Sequence, residues 1–434
     1  MDAKRASPLT AVAVLLALGI TVVVAGVAWP AWDMFGPARR PMLQGWDDSF
    51  YYFWLPSVVI DHDLDFSNQL AQSGTIDPAT RDLALTLPKT RTGVLDSKYP
   101  PGWALGSLPF FLIAHAFSAP GATGFEPVYL VSVWLGQLLY AVLGLGIALK
   151  ILTRYFSFET AALATLAGWL TSSLVYYQTA RLSMSHSQVF TLAVTVFWIS
   201  FQISDGDLRV RHWSLLGFAA ALLVVTRNVA FVYLTLPAAM VLPKLRLLRH
   251  AGWILAGAAV PIIVQLVAWK IIHGSWIAYS YGGERFDFRH LRVLEVLVSP
   301  QHGWFYWHPL MLPAIGVFMA WAWHRREGRA WLISLLAIVI LSAAWPTWWL
   351  GSSFGYRGFE VLTFFAMIGV AALLEVFRRP SLPRMLLRTV IACAIAGNLA
   401  LFALFLTQRI PREEPVTYQQ AAHAFRTWVT GGRR

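Results

Sequence analysis

The sequence predicts an all-α protein that crosses a membrane many times, and three observations carry that prediction. Apolar residues make up 57% and charged residues only 13% of the 434 positions, with a mean hydropathy of +0.57. A water-facing surface on a chain of this length needs more charge, whereas lipid-facing helices exclude it. Apolar runs of membrane-crossing length recur along the whole chain, separated by short basic clusters. The 21 Trp, 14 Tyr and 27 Phe suit a protein with many rings at membrane–water boundaries.

Charge and cysteine usage narrow the class. The net charge of +12 resides in clusters between apolar runs, a pattern that sets topology and meets anionic lipid, with a nucleic-acid groove the lesser alternative. The single cysteine, Cys393, lies inside an apolar run, so neither an internal disulfide nor a cysteine metal site is expected.

The elements follow in order. Lys4 and Arg5 precede an apolar run from Leu9 to Trp29. Gly26-Val27-Ala28 resembles a signal-peptidase site. A run of about 20 residues nevertheless crosses a ~30 Å core at 1.5 Å per residue, so an uncleaved first helix with a cytoplasmic N-terminus is expected. Residues 30–126 form a long first external loop holding Asp47, Asp48, Asp61, Asp63, Asp65, Asp77, Asp82 and Asp96. Within it, 103–117 is apolar but short and follows Pro100-Pro101-Gly102, which predicts an interfacial or re-entrant helix.

Further spans are expected at 128–149, 158–178, 187–203, 251–272, 304–323, 330–347, 359–377 and 387–407. Segment 213–242 has basic clusters at both ends and Thr226-Arg227-Asn228 at its middle, which predicts a hairpin of two short helices. With 103–117 not crossing, Lys150/Arg154, Arg209/Arg211, Lys244/Arg246/Arg249, Arg325/Arg326/Arg329 and Arg378/Arg379/Arg384/Arg388 all fall on the side of Lys4 and Arg5, as the positive-inside rule requires. The count is about eleven crossings over residues 1–407. The tail 408–434, too short for an independent domain, would lie outside; its Arg409, Arg412, Arg426, Arg433 and Arg434 against Glu413 and Glu414 run counter to that rule.

Six polar sets fall on the expected outer face. Asp47 and Asp48 follow the first span within Gln44-Gly45-Trp46-Asp47-Asp48-Ser49-Phe50-Tyr51-Tyr52. Of two adjacent carboxylates, one can take a proton from a hydroxyl nucleophile while the other orients it; a solvated loop or a helix cap uses the same residues. Asp61-His62-Asp63-Leu64-Asp65 could hold a divalent cation through carboxylate oxygens, but it lacks the glycine and distal glutamate of a calcium loop and reads as a polar turn. Arg181 with Ser183, Ser185, His186 and Gln188 presents donors at a helix start, for an anion or for capping. Arg227 between short apolar helices faces a cavity or snorkels; in a cavity its guanidinium can grip a phosphate. Gly282-Gly283-Glu284-Arg285 with Ser299–Trp307 around His302, and Trp348–Phe359 with Tyr356 and Arg357, combine aromatics, glycine and a cation. Rings in such loops otherwise form an interface belt.

Four of these stretches, in order, resemble the GT-C glycosyltransferases that use lipid-linked sugars, in particular the bacterial dolichyl-phosphate-mannose mannosyltransferase and aminoarabinose transferase group. They are Asp47-Asp48-Ser49-Phe50-Tyr51, Lys98-Tyr99-Pro100-Pro101-Gly102, Thr226-Arg227-Asn228 and Trp349–Arg357. Asp48 stands where glutamate is usual and Asn228 where proline is usual. The first departure leaves the division of labour within the acid pair open. The resemblance covers residues 9–407 and implies a GT-C-like domain, a polyprenyl-phosphate sugar donor, an inverting mechanism and an external active site in the cytoplasmic membrane. It carries the catalytic base onto Asp47, with Asp48 and Tyr52 positioning a lipid, glycan or protein acceptor. Arg181, His186, Arg227 and Arg357 are expected to stabilise the departing phosphate, with Lys98, Glu284, His302 and Tyr356 in the substrate-binding set. No obligatory cofactor or metal is expected, because arginines can neutralise a phosphate monoester.

A multipass transporter or flippase of lipid-linked sugars is the rival from another class. It would need polar groups at the bilayer midplane in two related halves, whereas the acids here gather outside the spans. A structural subunit of the cell envelope would explain the apolar bulk but not this clustering. Cysteine-accessibility mapping in intact and opened cells is expected to place Asp47, Arg227 and Arg357 on one side of the membrane; a split among them removes the enzyme reading.

Overall fold

The computed structural model describes residues 19–22, 24–26, 43, 45–72, 78–86, 88–95, 97–244, 248–377 and 381–431. Gln44, Asp77, Asp96, Arg246, Arg378, Arg379, Arg433, Arg434 and most of the expected first span, with Lys4 and Arg5, lie outside these. Among the described residues the fold is helical, with one antiparallel bridge between Lys89 and Leu95 and no strand. Four helices there are long and apolar enough to cross a membrane: Pro127–Leu152, His186–Ser204, His250–His273 and Leu382–Leu406. Shorter apolar helices accompany them. This is a polytopic helical membrane fold, built as two compact units.

The first unit contains Gly19–Gly144 and Tyr177–Glu284. Helix α1 (Trp46–Pro56) carries the acid pair in its first turn, where the positive end of the helix dipole favours carboxylates. It runs into a single wide turn, Ser57–Asp61, that ends on left-handed His62 (φ 59°). Helix α2 (Gly102–Ala116) is the expected short helix after Pro100-Pro101. A cluster of Phe50, Tyr52, Phe53, Phe66, Phe111 and Phe125 welds α1 to α2 and the loops beside them.

Helix α3 is Pro127–Leu152, and the second unit begins at its residue 145; helix α4 (Phe158–Leu170) lies in that unit. Helix α5 (His186–Ser204) returns to the first. Segment 213–242 is broken where the sequence predicted it. Helix α6 (Val210–Thr226) stops at Arg227, whose backbone is extended (φ −151°, ψ 110°), and a 3-10 turn Asn228–Leu234 and short helix Thr235–Met240 follow.

Helix α7 (Leu248–His273) packs on α6 at two glycines. A Cβ on Gly217 would stand 1.9 Å from the Ile254 carbonyl oxygen, and one on Gly257 would stand 1.9 Å from that of Ser214. The backbones therefore touch, as small residues permit in lipid-embedded pairs.

The second unit holds, among described residues, 145–176 and 285–431. Two expected spans are interrupted here. Residues 158–178 divide into α4 and Leu174–Tyr177, with Ser172 and Ser173 between them; the Ser172 hydroxyl bonds the Trp169 carbonyl and so competes with the helix ladder. Residues 304–323 divide at His308-Pro309 into Trp304–Trp307 and α8 (Met311–Trp323), because proline cannot donate to the preceding turn. Helices α9 (Arg326–Ala343), α10 (Leu362–Val376), α11 (Leu382–Leu406) and α12 (Tyr418–Val429) complete the unit. Phe318 of α8 stacks on Phe365 of α10 at 4.9 Å, beside Gly369, whose Cβ would meet the Ala314 carbonyl oxygen at 1.8 Å.

Replacing Gly217 by leucine is expected to separate α6 from α7 and cost at least about 3 kcal/mol, the upper range for overpacking. Thermal unfolding in detergent measures this, with Gly252→Ala, an exposed position of α7 where an added Cβ meets nothing and the backbone is not left-handed, marking the scale of a surface change.

Candidate active site

Successive residues on a helix point about 100° apart, and the acid pair is split accordingly. Asp48 is fully buried. Its Oδ2 lies 3.0 Å from Arg181 Nη2 and accepts a 3.0 Å hydrogen bond from Ser183 Oγ. Asp47 is half-exposed and accepts a short hydrogen bond from the Tyr99 hydroxyl. Gly45 makes room for this arrangement, since a Cβ there would come within 2.9 Å of Arg181 Nη2.

The segment before α5 supplies the partners. Arg181, Ser183 and Ser185 precede His186, the first residue of α5. Ser185 Oγ donates to the Tyr51 hydroxyl at 3.3 Å, and the Tyr51 ring meets that of Tyr99 at 4.9 Å. His186 is buried against the Tyr177 ring at 4.2 Å, with Nδ1 3.2 Å from Arg227 Nη1. A guanidinium can only donate, so Nδ1 is the acceptor and the proton of neutral His186 sits on Nε2. Arg227 is half-buried at the end of α6.

Glycine and glutamine bring that end to α2. A Cβ on Gly102 would stand 2.3 Å from the Thr226 nitrogen. Gln188 Nε2 donates both to the Gly102 carbonyl at 3.0 Å and to Thr226 Oγ1 at 3.2 Å.

The loop after α7 closes the assembly. Lys98 Nζ pairs with Glu284 Oε1 at 2.8 Å and lies 5.9 Å from the centroids of both Tyr99 and Tyr281. Ser280 Oγ donates to the Lys98 carbonyl at 3.2 Å, and the Tyr279 hydroxyl donates to that of Glu284. Burial above all raises the pKa of Tyr281; the neighbouring Tyr51, Asp47 and Glu284 add to the rise while Arg227 opposes it. Tyr281 therefore stands as a neutral hydroxyl among the charged groups.

The structure thus brings Asp47, Asp48, Lys98, Arg181, His186, Arg227 and Glu284 into one polar assembly in the first unit. Tyr52 is placed elsewhere: its hydroxyl donates to the Gly124 carbonyl and its ring packs on Phe111 and Phe125. Tyr51, four residues from Asp47 and so on its face of the helix, takes the position beside the carboxylates that the sequence reading gave to Tyr52. Tyr99 and Tyr281 were not singled out either. The Asp61–Asp65 stretch is a polar turn, with Asp65 Oδ1 accepting from the Ser67 and Leu95 amides at 3.2 and 3.0 Å. Among the described residues no three His, Cys, Asp or Glu side chains gather as a metal cluster.

His302, Tyr356 and Arg357 belong to the second unit. His302 is left-handed (φ 64°) and buried, with Nδ1 2.9 Å from the Trp349 carbonyl. Burial lowers its pKa against those backbone contacts, and the Arg357 charge lowers it further, so the ring is neutral at pH 7. Tyr356 is buried with its ring on Phe359 at 4.4 Å, and Arg357 opens a 3-10 turn to Phe359. Gly355 (φ +61°) leaves no room for a side chain: its Cβ would lie 2.2 Å from His308 Nε2. The other nitrogen of His308 faces Asn398 Oδ1 at 2.9 Å. Asn398 in turn donates to the Leu170 and Ser172 carbonyls at 2.8 and 3.2 Å. Neither His308 nor Asn398 announced itself in the sequence.

Fold and site define a polytopic helical membrane protein with a carboxylate–arginine assembly at its helix ends. No protein-family model and no curated protein sequence matches the chain. Among solved structures it is similar to the aminoarabinose transferase ArnT of Cupriavidus metallidurans in the apo state, with TM-score 0.52 and 16% identity over 96% of this chain and 71% of that one. The same enzyme bound to undecaprenyl phosphate gives TM-score 0.51 and 16% identity over 98% and 70%. The oligosaccharyltransferase of Archaeoglobus fulgidus in complex with Zn and sulfate gives TM-score 0.56 and 14% identity over 94% and 54%. These are GT-C glycosyltransferases, and the chain has their fold.

Because Asp48 is the buried partner of a mostly buried guanidinium, Asp48→Ala is expected to cost about 3 kcal/mol or more of stability by stranding that charge. Asp47→Ala should cost less, at most about 1.5–3 kcal/mol, the worth of its charged hydrogen bond from Tyr99. Thermal unfolding of the two purified variants compares them directly; equal losses would remove the division between a buried structural carboxylate and a half-exposed one.

Proposed function

We propose that the protein is a membrane glycosyltransferase that moves one sugar from a polyprenyl-phosphate donor to a lipid, glycan or protein acceptor, with inversion at the anomeric carbon. The observation that carries the reading is the asymmetry of the acid pair on a GT-C fold: Asp48 is consumed by Arg181 and Ser183, while Asp47 remains half-exposed. Asp47 is the general base for the acceptor hydroxyl. Tyr99 aims its carboxylate, and Tyr51 and Tyr281 line the approach.

Arg227 and His186 meet the donor phosphate. His186, with its Nε2 proton, donates a neutral hydrogen bond, and the Arg227 guanidinium supplies positive charge where negative charge grows on the leaving group. Lys98 and Glu284 hold the neighbouring loop. His302, Tyr356 and Arg357 are assigned to the substrate on the resemblance of their segment. A phosphate monoester departs without needing a Lewis acid when arginines accept its charge, so the proposal includes no obligatory cation. About eleven crossings, a cytoplasmic N-terminus and an external site in the cytoplasmic membrane complete it, and the sugar is a hexose or pentose.

Membranes supplied with radiolabelled polyprenyl-phosphate sugars test the assignment. Asp47→Asn should lower transfer by about 10²- to 10⁴-fold, the usual contribution of a positioned base, with lipid-phosphate binding retained. Tyr99→Phe removes a hydrogen bond to a charged group worth about 1.5–3 kcal/mol, or about 10- to 100-fold at 1.36 kcal/mol per tenfold, expressed in kcat more than in KM. Near-normal turnover by Asp47→Asn overturns the proposal.

A further inference from the structure

The C-terminal helix α12 is built and fastened with more care than a tail requires. Thr417 and Gln420 form a reciprocal capping box at its start, which satisfies two otherwise orphaned amides. Tyr418 stacks flat on Tyr306, with ring centroids 4.4 Å apart and 8° between planes, and its backbone N–H donates to the Tyr306 hydroxyl at 3.2 Å. The approach is pinned too: Val416 N–H donates to the Pro300 carbonyl at 3.2 Å, and Gln301 Nε2 donates to that of Glu413 at 2.6 Å.

The face that α12 turns to the protein is its small one. Ala421 is buried, and Ala424 and Thr427 are partly covered. Ala422, Phe425 and Val429, spaced three and four residues apart on another face, stay exposed, Phe425 at 41% and Val429 at 68%. Gln419, His423, Arg426 and Thr430 take the polar side. In a water-soluble surface helix the large apolar residues face the core; here Phe425 and Val429 are left out.

What covers them follows from where the helix lies. It packs on the end of α11, the last membrane-crossing helix, whose Leu386, Val390 and Leu399 are exposed as lipid-facing residues are. The Arg409 guanidinium sits 5.8 Å from the centroid of the Trp428 ring, and Arg426 is exposed in the last turn. A stripe of two large side chains is far below the ~800 Å² per partner of a stable protein interface. A short amphipathic helix with Trp, Phe and flanking arginine beside a span suits the headgroup layer of an anionic bilayer. We propose that α12 is an interfacial anchor whose Phe425–Val429 stripe lies at the headgroup–acyl boundary, with Arg409 and Arg426 against anionic lipid. Seated there, it clamps the 300–306 loop, which carries His302, to the membrane surface. This inference does not depend on the transferase reading.

The test places an environment-sensitive fluorophore on Val429→Cys, and separately on Gln419→Cys, both in a Cys393→Ser background so that the native thiol is silent. The full-length proteins are reconstituted in bilayers of phosphatidylcholine with phosphatidylglycerol. Nitroxide carried at a shallow acyl position should quench the probe at 429 strongly and the probe at 419 little, while aqueous iodide shows the opposite order. Adding Phe425→Asp should abolish the lipid quenching at 429 with thermal unfolding of the protein unchanged. Equal access of iodide to both probes overturns the proposal, since the helix then stands in water. Shielding of 429 from both quenchers also overturns it, since a second copy or a protein partner then covers the stripe.

Discussion

A buried carboxylate must have a fixed cation, and the first unit is arranged around meeting that demand for Asp48. An unmatched charge in a dry site costs several kcal/mol. Its partner Arg181 therefore cannot drift, and neither can the segment from Arg181 to Ser185 that delivers it. Through that constraint His186 is set at the first turn of α5 and Ser185 against Tyr51. The same pairing leaves Gly45 no side chain and fixes the start of α1. Asp47, one residue earlier and about 100° around the helix, inherits a defined direction, with Tyr99 donating to it and its side chain half-exposed. One carboxylate is spent on architecture, so its neighbour has both rigidity and exposure.

The second organising contact joins stretches far apart in the chain. Pro100-Pro101-Gly102 starts α2 and Thr226 ends α6, and Gly102 rests directly on the Thr226 backbone. Proline supplies a stiff approach with no amide to satisfy, and glycine supplies the clearance. Gln188 then bridges both. This is why Lys98 and Arg227, each adjacent to one side of the contact, belong to one polar assembly. Individually the Pro-Pro-Gly and Thr-Arg stretches are weak signals; the packing explains why they occur together.

Composition and hydropathy made the membrane fold legible because lipid imposes one solvent rule on every span. The break at Arg227 was legible for the same reason, since an arginine between apolar helices is expensive. What escaped was local. In uniformly apolar runs periodicity is silent about interruptions, so the breaks at Ser172-Ser173 and His308-Pro309 passed as continuous helix. Tyr51 was passed over for Tyr52, although the four-residue spacing from Asp47 favours Tyr51. Tyr99 and Tyr281 were hidden by number: among 14 tyrosines, interface rings and hydrogen-bond donors look alike until a carboxylate is beside one. His308 and Asn398 lie 90 residues apart and have meaning only as a pair.

The two ion pairs of the assembly differ in what they can hold. Arg181–Asp48 has side chains 15% and 0% exposed, so separation strands charge in a dry site. Lys98–Glu284 is 31% and 41% exposed, and water replaces either partner at a cost of about 0–1 kcal/mol. The first therefore fixes the start of α1, which carries Asp47, while the second only biases the loop carrying Tyr279–Glu284, which follows left-handed Gly274 and contains left-handed Gly282. On the proposed chemistry that inequality is useful. A transfer reaction needs a base whose direction does not change between cycles, and a polar wall weakly enough tied to admit a bulky lipid-linked donor and release a charged lipid phosphate. Burial, rather than the identity of the charged residues, decides which pair does which.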